Sequence, residues 1–77
     1  MEQTNLQKAR RKKGLSQKKL AELSGISART IECYEQRARP IDGARLETLC
    51  ELSNALDCKI VEILESQELI DKFNATK

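Results

Sequence analysis

Residues 15–36 read LSQKKLAELSGISARTIECYEQ, and the spacing inside this stretch decides the fold. Ser16 stands before Gln17, Lys18 and Lys19, where its hydroxyl can accept from an unpaired backbone N–H at the start of a helix. Leu20, Ala21 and Leu23 supply the apolar stripe of that helix, which spans residues 17–24. Gly25 stops it, because glycine takes the positive φ that turns a chain sharply. Ser27 caps a second short helix over residues 28–36, in which Ile31 and Tyr34 stand three apart and share a buried side. Ala21 faces this following helix, where a larger side chain would force the two apart.

The pattern continues on both sides. Leu6 and Ala9, with Arg10 beside them, lie on one face of a first helix over residues 4–13, and Gly14 closes it as a left-handed residue. Residues 37–43 contain the only Pro and one of the three Gly and read as a loop that leads to Asp42, the cap of a fourth helix. Leu46, Leu49, Cys50, Ser53 and Leu56 form that helix's inner face. A short fifth helix over residues 59–64 contributes Ile60, Ile63 and Leu64. Residues 1–65 make up the domain. Residues 66–77 are a polar tail with Leu69, Ile70 and Phe73 to bury, able to add a short helix or a dimer contact.

Composition agrees with an all-α bundle. A chain of 77 residues has one modest core, since chains this short bury only about 60% of the surface exposed on unfolding. With 39% hydrophobic residues but one Tyr, one Phe and no Trp, that core is made of Leu, Ile and Ala, which suits helices better than a sheet. No apolar run approaches the roughly 18 residues of a membrane span, and the N-terminus lacks the apolar segment of a signal peptide, so the expected location is the cytoplasm. Cys33, Cys50 and Cys58 have no CxxC spacing and no histidine to complete a metal site, so free thiols are expected and neither metal nor cofactor. Without histidine, a nucleotide-binding Gly-rich loop or a nucleophile paired with a base, there is no sign of an enzyme or of a small-molecule substrate.

Charge is divided unevenly. Residues 1–45 hold eleven Lys and Arg against five Asp and Glu, a charge of +6, while residues 46–77 hold three against seven, a charge of −4. A basic half suggests a face for a polyanion. Two helices joined by a short Gly-containing turn are what a helix-turn-helix reader of the DNA major groove requires. With Ile31 and Tyr34 turned inward, Ser27, Ala28, Arg29, Thr30, Glu32, Cys33 and Gln36 face outward. Arg29 can pair bidentately with guanine O6 and N7, Thr30 can bond a phosphate or touch a thymine methyl, and Ala28 can pack on such a methyl. Glu32 can accept from cytosine N4 or repel phosphate, and Cys33 fits a base edge but reads it poorly. The runs Arg10 to Lys13 and Lys18 to Lys19 lie on the first two helices, near the backbone of a docked duplex.

Over Leu6 to Leu64 the chain resembles the Xre type, the helix-turn-helix of phage repressor and Cro proteins. The Ser-Gln opening, the Leu-Ala pair, the Gly turn, the Ser cap, the Thr-Ile pair and the Tyr-Glu pair of residues 15–36 carry the resemblance. It implies five helices, double-stranded DNA as partner, helices two and three as the reader, and Gln17 fixing helix two against phosphate. It also implies an ion pair between the first helix and the end of the reading helix, where Arg10 and Glu35 stand. Arg37 replaces the glycine common after the reading helix, so the helix is expected to end by another route, leaving Arg37 and Arg39 as phosphate contacts. Lys59 stands where a Ser or Asp would cap helix five, which leaves that end either frayed or capped by Asp57 instead.

One reading helix contacts few base pairs, so a homodimer on two half-sites is expected, with helix five and Leu69, Ile70 and Phe73 as its interface or else packed on their own core. The leading functional reading is a transcriptional regulator that represses by occupying an operator. The alternatives are an antitoxin or restriction-system controller with a protein partner, and a helix-turn-helix fold used only for protein interaction.

Overall fold

The computed structural model describes residues 3–75, which hold five α-helices and two single 3-10 turns. Thr4 caps the first helix by accepting from the Gln7 N–H at 3.1 Å, and α1 (Asn5–Lys12) turns Leu6 and Arg10 inward. Gly14 closes it at φ +76°, while the Leu15 N–H reaches back 3.0 Å to the Arg10 carbonyl. Ser16 accepts from the Lys19 N–H at 3.0 Å and opens α2 (Gln17–Ser24). Gly25, also at φ +76°, ends it, and the Ser24 hydroxyl accepts from the Ile26 N–H and fixes the turn. Ser27 then accepts from the Thr30 N–H at 3.1 Å at the start of α3 (Ala28–Glu35).

The end of α3 departs from expectation. Arg37 adopts φ +61°, with its own N–H on the Tyr34 carbonyl and the Ala38 N–H on the Cys33 carbonyl at 2.9 Å. This is the left-handed ending that glycine usually provides, built here with arginine, so the helix does not terminate by another route. Asp57 closes α4 (Leu46–Leu56) in the same way at φ +54°, with the Cys58 N–H on the Ser53 carbonyl. It therefore belongs to the end of α4 and caps nothing that follows.

Three further expectations fail for reasons of helical phase and length. Asp42 does not cap α4. It sits in the 3-10 turn Ile41–Gly43 and accepts from the Glu65 N–H at 2.9 Å, while Arg45 precedes α4 without a side-chain cap. The buried stripe of α4 is Leu49, Leu52, Ser53 and Leu56. Leu46 and Cys50 lie about 70° and 110° around the helix from its midline at 3.6 residues per turn, so Leu46 is 60% exposed and Cys50 half-buried. Leu23 likewise falls about 80° from the Leu20–Ser24 line of α2 and is 53% exposed.

The segment 59–64 forms only the 3-10 turn Ile60–Glu62, whose first N–H, on Lys59, is taken by the Glu62 carboxylate at 2.6 Å. The fifth helix lies later, as α5 (Gln67–Ala75), with Ser66 accepting from the Leu69 N–H. The core joins all of these elements. Leu6, Leu20, Ile31, Leu52, Ile63 and Leu64 are fully buried, with Tyr34, Ile41, Leu49 and Leu56 around them, and Leu69, Ile70 and Phe73 pack half-buried against this cluster.

Candidate nucleic-acid interface

α3 is held from beneath by Ile31, Tyr34 and Glu35, all buried. Glu35 has the most elaborate anchorage. Arg10 donates through Nε to Glu35 Oε2 at 2.7 Å and through Nη2 to Oε1 at 3.0 Å, and its Nη1 donates to the Leu15 carbonyl at 2.7 Å. The two side chains are only 10% and 2% exposed. Gln17 Nε2 adds a bond to Glu35 Oε1 at 3.0 Å, so α1, α2 and α3 meet at one carboxylate. A bidentate pair whose remaining polar atoms are bonded offsets its own desolvation. Removing one partner would strand a buried charge, a loss of about 3–5 kcal/mol. The network therefore fixes register, and it places the Gln17 side-chain amide against Glu35.

With that side occupied, the opposite side of α3 faces solvent. Ala28, Arg29, Glu32 and Gln36 are exposed, and Thr30 and Cys33 are half-buried. Ser27 is exposed, but its hydroxyl is committed to the Thr30 N–H and to the Thr30 hydroxyl at 2.8 Å, so both hydroxyls act first within the cap. Arg29 is the one cation on the outward side of α3, with Glu32 one turn along. Arg39 is exposed in the loop after α3, and Arg37 Nη2 lies 3.1 Å from Glu65 Oε1.

A groove runs from the turn and first residues of α3 to the start of α4, lined by Ser27, Thr30, Arg39, Arg45 and Thr48. Arg45 and Thr48 were not among the sequence-derived candidates. Placing the start of the fourth helix at Asp42 hid them, whereas a start at Leu46 puts a basic residue at the helix boundary beside Arg39.

The other basic residues divide into separate surfaces. Lys18 and Lys19 are exposed on the first turn of α2. The run from Arg10 to Lys13 is not one patch: Arg10 is interior, and Lys8, Lys12 and Lys13 line a groove with Asp57, Cys58 and Glu62, where Lys13 Nζ is 3.8 Å from Asp57 Oδ2. Burial, with the carboxylates of Glu62 and Asp57, pushes the Cys58 thiol above its ordinary value. Among the described residues no group of His, Cys, Asp and Glu is arranged to hold a metal ion, and no helix is long and apolar enough to cross a membrane.

No curated protein and no solved structure matches the chain significantly. A family model described as helix-turn-helix, covering the Xre and phage repressor-like domains, matches residues 6–63, from the first buried leucine of α1 to Ile63 at the end of the second 3-10 turn. The cap, turn and anchored third helix described above all fall inside that span. The chain thus belongs to the Xre-like helix-turn-helix family of DNA-binding regulatory domains.

Proposed function

We propose that this protein is a transcriptional repressor that binds an operator as a homodimer, each copy laying α3 in the major groove of one half-site. The observation that carries this reading is the two-sided character of α3: one side immobilised by Ile31, Tyr34 and the Arg10–Glu35 pair, the other presenting Ala28, Arg29, Glu32 and Gln36 to solvent. A side chain reads a base edge only if its helix is held still, and the three-helix junction at Glu35 supplies that rigidity. Arg29 recognises guanine, Ala28 and Cys33 pack against the edges of neighbouring bases, and Glu32 accepts from cytosine. Lys18, Lys19, Arg39 and Arg45 take phosphates on either side, with the hydroxyls of Thr30 and Thr48 and the second Nε2 N–H of Gln17 as neutral donors.

Size supports the dimer. The domain measures 33 × 26 × 21 Å, and half-sites one helical turn apart lie about 34 Å from centre to centre. Two copies side by side thus reach successive major grooves on one face of the duplex. DNA as the ligand supports the cytoplasm as the place of action.

Selection from a random duplex pool, followed by titration of the best site at two salt concentrations, tests the proposal. An inverted repeat whose affinity falls steeply with salt is expected, and Arg29→Ala should weaken it by about 5- to 150-fold, the equivalent of about 1–3 kcal/mol. Failure to enrich any sequence, together with a flat salt response, would overturn it.

A further inference from the structure

The groove between the turn before α3 and the start of α4 differs in charge from the grooves around α1 and Arg37. Asp57 and Glu62 stand in the groove against α1, and Asp42 and Glu65 in the cleft beside Arg37. No carboxylate lines the groove that holds Ser27, Thr30, Arg39, Arg45 and Thr48, and Glu47, the acidic residue in the first turn of α4, is not part of it. Two helices begin at its walls. At α3 the Ser27 hydroxyl takes the Thr30 N–H, whereas α4 starts after Arg45 with no side-chain cap, which leaves the N–H groups of its first turn open to an acceptor.

Tyr34 also lines this groove. The residue is only 8% exposed, and its ring belongs to the core. No hydrogen bond among the described residues holds its hydroxyl, yet no buried side-chain oxygen or nitrogen there lacks a partner. The hydroxyl therefore lies in the small part of the side chain that reaches the surface. It does so where the groove meets the cleft beside Arg37, next to Arg39, which lines both.

A hydroxyl on a ring fixed by the core is a donor that needs no further ordering to bind. Two guanidinium groups, open backbone N–H groups and a donor without a partner, with no carboxylate among them, make a seat for a phosphate. We infer that Tyr34 is a DNA-contacting residue as well as a core residue: its hydroxyl donates to a backbone phosphate held between Arg39, Arg45 and the first turn of α4. The inference rests on the reading of α3 as the DNA-contacting helix, which brings the duplex backbone to this groove. A phenol carries no charge to neutralise the phosphate, so it adds affinity without releasing a counterion and without regard to base sequence.

The experiment measures binding of the full chain to a random-sequence duplex and to a site selected from a pool, across a range of salt. It compares the native protein, Tyr34→Phe, Arg45→Ala and the double variant, with thermal melting to verify that each is folded. Tyr34→Phe is expected to bind about 10-fold more weakly, equally on both duplexes, with an unchanged log–log salt slope. Arg45→Ala should make the slope shallower by about 0.9 per chain bound. In its background Tyr34→Phe should cost less than in the native protein, because the two side chains hold one phosphate. Tyr34 is the single tyrosine of the chain, so a fluorotyrosine label enters at this position alone, and its fluorine resonance should shift on saturation with the random duplex.

A folded Tyr34→Phe variant that binds the random duplex as tightly as the native protein would overturn the inference. So would a loss confined to the selected site, which would make Tyr34 a support for the outward side of α3 and no contact, or losses that simply add in the double variant. If the phenylalanine variant does not fold, an unmoved fluorine resonance at saturation overturns the inference alone. Stabilisation of the free protein by millimolar inorganic phosphate at fixed ionic strength, lost in Tyr34→Phe while DNA affinity is unchanged, would assign the seat to a free phosphate and overturn it as well. Salt-insensitive binding by the native protein would overturn the DNA reading itself, a result distinct from a steep salt dependence shared equally by the native protein and Tyr34→Phe.

Discussion

Of the four helix ends closed by a left-handed residue among the described residues, Gly14 and Gly25 use glycine, and Arg37 and Asp57 do not. A side chain at such a φ costs roughly 1 kcal/mol, and at Asp57 the sign of the charge adds to this, because a carboxylate at a helix C-terminus opposes the helix dipole. Its contact with Lys13 at 3.8 Å, between exposed side chains, returns little. Asp57→Gly is therefore expected to raise stability by about 1 kcal/mol, which differential scanning calorimetry would record as a rise in Tm of about 4–8 °C. The Cys58 thiol beside it is raised by burial and by the Glu62 and Asp57 carboxylates, so it holds less thiolate than a free cysteine at pH 8. Site-resolved alkylation should be slower at Cys58 in the native chain than after unfolding in urea, and should continue to climb with pH where the unfolded thiol has levelled off. At this scale the outward side of α3 was largely legible in the sequence, because serine caps and the Ile31–Tyr34 spacing fix helical phase. Which residues face one another across the fold was not. Arg10 and Glu35 could be paired only through a family resemblance, and the links from Glu65 to Asn5, Arg37 and Asp42 have no local signature, since each joins residues more than twenty positions apart.

Among the elements, α1, α2 and α3 follow from the sequence because α2 and α3 each begin at a Ser whose hydroxyl can accept from the helix, and α1 and α2 end at Gly. Legibility is lost where those signals are missing. α4 starts after Arg45 without a side-chain cap, so the nearby Asp42 gives a false start and rotates the inferred inner face. Ile60, Ile63 and Leu64 have helical spacing, but six residues are too few to offset the unfavourable nucleation of a helix, and a single 3-10 turn buries the last two just as well. α5 had the opposite fate. Ser66 followed by Leu69, Ile70 and Phe73 is a cap with an apolar stripe among polar residues, legible only as one option, a short helix, beside that of a dimer contact. The stripe is half-buried on the core, so Phe73→Ala should lower stability by about 2 kcal/mol, roughly half the loss at a fully buried phenylalanine. Chemical denaturation would measure it. No loss of stability would show that α5 is supported by something other than its own domain.

For the molecule as a whole, the division into a basic and an acidic half was plain in the sequence, but its spatial meaning was not. The lysines of α1 stand beside Asp57 and Glu62, while the cations near α3 come from α2, the loop after α3 and the start of α4. The linear charge run therefore overstates one surface and omits another. Chain closure has a consequence of a different kind. The Asn5 N–H at the start of α1 is satisfied by Glu65, sixty residues later, and the core that supports α3 includes Ile63 and Leu64. During synthesis at about 5–20 residues per second, α1 thus waits about 3–12 s for the carboxylate and the two aliphatic side chains that complete its surroundings. α3 is translated well before these residues, so a nascent polypeptide carries the whole of α2 and α3 before it can hold them rigid, and completes their support only when residues 63–65 have emerged from the ribosome.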